Sequence, residues 1–117
     1  MKTILIVEDT ELNVDLLTQL LEDDYQLLVA RDGAESVLVT KKNKPDLILM
    51  DISLPVMDGY EAARQIHQRY PTLPIIGISA NAMKSDHEKA IAAGCTDYLT
   101  KPIDENILLK KLQEYLG

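Results

Sequence analysis

The chain has 117 residues, with 19 acidic against 12 basic side chains, a net charge of -7, one cysteine and neither tryptophan nor phenylalanine. That length suits one domain with one proper core and leaves no room for two, while the acidic balance argues against a nucleic-acid or anionic-membrane binder. A lone Cys95 cannot close an internal disulfide and fits a reducing compartment, and a hydrophobic content of 46% is that of a globular protein.

The N-terminal Met1-Lys2-Thr3, followed by four apolar residues and two acids, is too short for a signal peptide. No purely apolar run exceeds four residues, against the roughly 20 that span a bilayer. A soluble, cytoplasmic protein is expected.

In chain order, Thr3 to Val7 reads as a buried strand, and Leu12, Leu16, Leu17, Leu20 and Leu21 then form an apolar stripe at helical spacing. A second strand follows at Tyr25 to Ala30. Asp32-Gly33-Ala34-Glu35 opens a second helix with an Asp variant of the capping box. Lys41, Lys42 and Lys44 complement that helix's C-terminal dipole as a solvated face. Pro45 precedes the third strand, Leu47 to Met50, and Asp58-Gly59-Tyr60-Glu61 caps a third helix. Pro71 and Pro74 precede a fourth strand at Ile75 to Ile78. Ser85-Asp86-His87-Glu88 places a cap at the fourth helix, and Gly94 suits the left-handed residue that ends it. Tyr98 to Thr100 is the fifth strand. Asp104 caps a last helix whose buried side takes in Ile107, Leu108, Leu112 and Tyr115.

The first, third and fourth strands are almost continuously aliphatic, as in a parallel sheet covered on both faces. Strand starts lie 22, 22, 28 and 23 residues apart, room for one crossover helix each time. The expectation is a (βα)5 doubly wound parallel five-stranded sheet, a three-layer sandwich, forming a single domain over residues 1–117.

A polar residue follows each of four strands: Glu8 and Asp9 after Val7, Asp51 after Met50, Ser79 after Ile78 and Lys101 after Thr100. In an open parallel sheet ligands bind at the carboxyl ends of the strands, so these scattered residues should converge. Three clustered carboxylates repel one another unless a cation sits among them. Hard oxygen ligands suit Mg2+, an ammonium can neutralise a phosphoryl oxygen, and a carboxylate can act as nucleophile to form an aspartyl-phosphate. Positioning and charge neutralisation carry most of such phosphoryl transfer.

These residues, with Met50-Asp51-Ile52-Ser53-Leu54-Pro55-Val56-Met57-Asp58-Gly59, Ser79-Ala80, Tyr98 and Lys101-Pro102, resemble the receiver domain of two-component response regulators over essentially the whole chain. The resemblance implies the flavodoxin-like strand order 2-1-3-4-5. It implies that Asp51 is the phosphoacceptor, supplied by a phosphohistidine on a sensor histidine kinase or histidine phosphotransfer protein. Asp9, Asp51 and the backbone carbonyl of Ser53 would ligate Mg2+ (with Mn2+ as a substitute), and Glu8 would act through water. Lys101, Ser79 and the Ala80 amide would bind the phosphoryl group, and the Lys101–Pro102 bond would be cis. Ser79 and Tyr98 would switch, changing partner affinity across the face from the fourth helix to the last. Ser53 and Asn81 would tune dephosphorylation.

Taken singly, several of these residues have plainer readings. Glu8 could be a solvated acid, Tyr98 a half-buried strand aromatic, and Asp58-Gly59 a turn with a cap. His67 and His87 lack acid or cysteine partners at ligand spacing, and Cys95 reads as a small buried hydrophobe. A flavodoxin-like cofactor binder fails on the first loop, because Glu8-Asp9-Thr10-Glu11 would repel phosphate without a metal. An external-substrate phosphatase would need a second aspartate after the nucleophile's strand and a substrate cap. A stand-alone receiver, monomeric or weakly dimeric, is expected, with a receiver from a hybrid histidine kinase or longer regulator as the alternative.

Overall fold

The computed structural model describes residues 1–52, 58–80 and 84–117, with side chains in the fourth helix described from residue 87 onward. Its elements are β1 (Thr3–Val7), α1 (Glu11–Leu21), β2 (Gln26–Ala30), α2 (Gly33–Asn43), β3 (Leu47–Asp51), α3 (Gly59–Arg69), β4 (Ile75–Ser79), α4 (Lys84–Ala92), β5 (Asp97–Thr100) and α5 (Glu105–Leu116). The strands pair in parallel in the order β2-β1-β3-β4-β5.

Side chains alternate across the sheet and sort the aliphatic runs into two cores. Ile4, Ile6, Leu47, Leu49, Ile76, Ile78 and Leu99 pack with Leu17 and Leu21 of α1 and Leu108 and Leu112 of α5. On the other face Leu5, Val7, Ile48, Met50 and Ile75 pack with Ala62, Ala63 and Ile66 of α3 and Ala90 of α4. Helices thus cover both faces, giving three layers, and the continuous aliphatic character of β1, β3 and β4 follows from that double cover.

Caps set the helix starts. Asp32, Asp58 and Asp104 accept the backbone N–H three residues on, from Glu35, Glu61 and Ile107, at 2.8, 2.9 and 3.1 Å. Gly94, at φ +107°, ends the α4 segment, with Gly94 N–H donating to Ile91 and Cys95 N–H to Ala90. A side chain there would also strike His67 of α3, 2.5 Å from its Cβ. The α2 terminus departs from this pattern, for Lys44 rather than a glycine takes the left-handed conformation at φ 48°.

Three expectations are corrected. The buried stripe of α1 is Val14, Leu17 and Leu21, while Leu12 and Leu16 are 66% and 56% exposed. Leu20 is half-buried and packs against the same core as Leu17 and Leu21, so only Leu12 and Leu16 form an outer apolar stripe on α1. In α5 Ile107 is exposed, and Leu108 with Leu112 makes the buried row. Helix α4 begins at Lys84, so Ser85 lies inside its first turn and not at its cap.

Candidate functional site

Pairing sets which polar residues share an edge. Val7 lies opposite Met50 and Asp51 opposite Ile78, so Glu8 and Asp51 leave adjacent strands at the same level. Asp51 and Ser79 are the last residues of β3 and β4, not the first of the following loops. Strand geometry fixes them more firmly than loop geometry would. The Lys101 N–H donates to the Ser79 carbonyl at 2.7 Å, which draws the exit of β5 across to β4. The Lys101–Pro102 bond is cis.

Oxygens of Glu8, Asp9 and Asp51 all lie within 4.8 Å of one another. Burial divides them, since Glu8 and Asp51 are 3% and 4% exposed while Asp9 is open to solvent. Glu8 is therefore no solvated acid. Its Oε1 accepts the Thr10 N–H at 3.2 Å and Asn13 Nδ2 at 3.3 Å, and its Oε2 faces Lys101. Lys101 Nζ lies 3.3 Å from Asp51 Oδ2 and 3.4 Å from Glu8 Oε2. Burial works to lower the Lys101 pKa, but the charges of Asp51 and then Glu8 outweigh it and hold the ammonium above the ordinary lysine value.

Among the described residues, three carboxylates thus meet one ammonium. Burying carboxylates without full compensation is costly, so the cluster is built for a further cation. Its all-oxygen donor set matches Mg2+, which binds through one or two carboxylates, keeps waters and bridges to phosphoryl oxygens.

Close packing holds the end of β3 in place. A Cβ at Gly59, the first residue of α3, would sit 2.2 Å from the Ile52 Cα and 2.5 Å from the Asp51 carbonyl oxygen. The Gly59 N–H donates to the Ile52 carbonyl at 3.1 Å. Gly59 is thus required by the approach of backbone to backbone beside Asp51, beyond the turn its Asp-Gly sequence announces.

Ser79 is buried at 3% exposure, and Ala80 lines a cavity of about 600 Å³ beside Glu8 and Lys101. Leu16, Leu17, Leu20, Pro102 and Ile103 make up most of the remaining wall. Tyr98 is half-buried, and the His87 imidazole stacks on it. Cys95 is buried, and burial pushes its thiol up to about 12. Ser53 and Asn81 lie outside the described residues. In the sequence Thr10 and Asn13 carry no signal beyond their nearness to Glu8, two and five residues on, and the outer and buried leucines of α1 read as one stripe.

No described helix is long and apolar enough to cross a membrane. The family model of the response regulator receiver domain matches residues 4–113. The polar-differentiation response regulator DivK of Brucella anthropi is 37% identical over 99% of this chain and 97% of its own length. Among solved structures, the receiver domain of the sensor histidine kinase PA1611 from Pseudomonas aeruginosa, with a magnesium ion coordinated in the active site cleft, is 37% identical. It superposes with a TM-score of 0.91 over 99% of this chain and 98% of that one. A chain in the co-crystal structure of the Saccharomyces cerevisiae phosphotransfer protein Ypd1 and the receiver domain of Ssk1 is 34% identical. There the TM-score is 0.92, over 97% of this chain and 88% of that one. Matched over nearly its full length and carrying an acidic cluster with its lysine at the carboxyl edge of a 2-1-3-4-5 sheet, this chain belongs to the response regulator receiver domains of two-component phosphorelay signalling.

Proposed function

We propose that Asp51 accepts a phosphoryl group from a phosphohistidine donor, a sensor histidine kinase or a histidine phosphotransfer protein, in a Mg2+-dependent reaction. The observation that carries this reading is Lys101 Nζ poised between the buried carboxylates of Asp51 and Glu8, with exposed Asp9 completing the acidic cluster. An Asp51 oxygen attacks phosphorus, the P–N bond to the donor imidazole breaks, and its electron pair returns to the ring nitrogen, which takes up a proton. Asp9, Asp51 and the Ser53 carbonyl would hold Mg2+, with Glu8 acting through water and Mn2+ able to substitute. The ion, when bound, neutralises charge on the transferring oxygens. Lys101, the Ser79 hydroxyl and the Ala80 amide take the phosphoryl oxygens of the product, so the module turns over no external substrate.

The apolar cavity gives the donor somewhere to sit. It runs directly on from Glu8 and Lys101, and Leu12 lies one turn of α1 from Leu16 on the same exposed stripe. A helical donor presenting its phosphohistidine to Asp51 would bury that stripe. The output is a change in binding across the face of α4, β5 and α5, with Ser79 and Tyr98 as the switching pair and Ser53 and Asn81 setting the lifetime of the phosphoryl group. We read the protein as a cytoplasmic, stand-alone receiver over residues 1–117, monomeric or weakly dimeric, with no direct role for nucleic acid or membrane. The equal identity to DivK and to the PA1611 receiver keeps the hybrid-kinase alternative in view, and the length of the gene decides it. Incubation with a small-molecule phosphodonor and Mg2+ should add one phosphoryl group to the intact mass of the wild type and none to Asp51→Asn. Equal labelling of both would refute the assignment.

A further inference from the structure

His87 stands on the exposed side of α4, and its imidazole lies on the Tyr98 phenol with ring centroids 5.1 Å apart and planes 10° from parallel. The half-buried Tyr98 also packs against the core beneath α4, so its ring is held between that core and the imidazole. The other described residues that seat this helix on the sheet are small: Ala90 is buried, with Ala93 just beyond the helix end, while Ile91 is 45% exposed. Among the described residues, the stack thus joins α4 to β5 across a contact otherwise made by small side chains. Turning the Tyr98 ring inward would carry the phenol away from the imidazole and break that stack.

We propose that His87 is a latch, a positioning residue that holds the Tyr98 ring at the α4–β5 surface and sets how readily the switch turns. The inference rests on the reading of Asp51 and Tyr98 given above, and adds to it a residue that opposes the switch. Whatever stabilises the outer ring position weakens binding of any ligand that favours the inner one, by the same factor. Loss of the stack should therefore tighten binding of a phosphoryl mimic about two- to tenfold, the range expected of one aromatic pair. A phenylalanine at position 87 keeps a ring on Tyr98 and should keep the latch.

The test uses the full chain with Mg2+ and beryllofluoride, the tetrahedral mimic of a phosphoryl group. By NMR, the wild type should show contacts between the His87 and Tyr98 rings that vanish on binding, as the Tyr98 resonances move. His87→Ala should shift the Tyr98 resonances of the unliganded protein part of the way toward their bound positions and tighten beryllofluoride binding by the stated factor. His87→Phe should restore wild-type affinity, and in a Tyr98→Ala background His87→Ala should change nothing. Unchanged affinity and unchanged Tyr98 resonances in His87→Ala, with the wild-type ring moving normally, would overturn the latch alone. A wild-type Tyr98 ring that stays in place when beryllofluoride binds would overturn the switch reading, and the latch with it, before any variant is made.

Discussion

Lysine meets aspartate at both ends of the sheet, in two different ways. At the amino end Lys111 of α5 approaches Asp97 of β5 at 2.8 Å, Tyr115 donates to the same oxygen at 3.0 Å, and the Tyr98 N–H donates to the other at 2.8 Å. Burial pushes the Asp97 carboxyl up, but the hydrogen bonds from Lys111, Tyr98 and Tyr115 more than offset it and hold it below the usual carboxylate range. At the carboxyl end Lys101 faces two buried carboxylates at 3.3 and 3.4 Å, with a third beside them. One cluster is short, balanced in charge and complete, and its effect is to tie α5 to the sheet edge. The other is long, unbalanced and open on the Asp9 side. Ion pairs that serve stability close on themselves, whereas a binding site keeps charge in reserve for what it will bind.

The largest expected effect falls on the backbone that positions the open cluster. Gly59→Ala should cost about 3 kcal/mol in denaturant unfolding, because the added methyl meets backbone and not a yielding side chain. A loss below about 0.5 kcal/mol would show that α3 can step back from Asp51 freely.

Asp97→Asn should cost about 1–2 kcal/mol at neutral pH, the scale of a partly exposed hydrogen bond to a charged group. The pH dependence has a definite sign. Because the folded-state pKa of Asp97 is lowered, its contribution is fully present above the unfolded value of about 3.9 and fades as pH falls through the lower folded value. The stability difference between wild type and Asp97→Asn should accordingly shrink below about pH 4. A gap that stays constant to lower pH would assign the loss to packing.

Asp9→Asn should act in the opposite sense. Without metal it relieves repulsion in the open cluster and should raise the melting temperature by about 2–4 °C, corresponding to somewhat under 1 kcal/mol. Mg2+ should raise the wild-type melting temperature and do so far less in this variant. A fall in melting temperature on Asp9→Asn without metal would mean that the two clusters do not differ as described.

The sheet was legible because double cover leaves aliphatic runs with no polar face, and β1, β3 and β4 show it directly. The site was legible because polar residues stand at the ends of those runs. Burial within the helices was less so. Five leucines in α1 occupy two stripes, and only packing against Ile4, Ile6, Leu47 and Leu49 selects Leu17 and Leu21 over Leu12 and Leu16. The burial of Glu8 depends on a lysine 93 residues away, which no local pattern reports. Gly59 reads as a turn residue, and its second requirement appears only once α3 is laid against the end of β3.

The central claim is that the open cluster directs phosphoryl transfer to Asp51. It is tested most directly by phosphorylating the chain with Mg2+ and a small-molecule donor, reducing the acyl phosphate with borohydride and sequencing the peptides by tandem mass spectrometry. Conversion of Asp51 to homoserine, with Asp9 and Glu8 unchanged, is the predicted result. Homoserine at position 9, or a phosphorylated chain with Asp51 intact, would contradict the account.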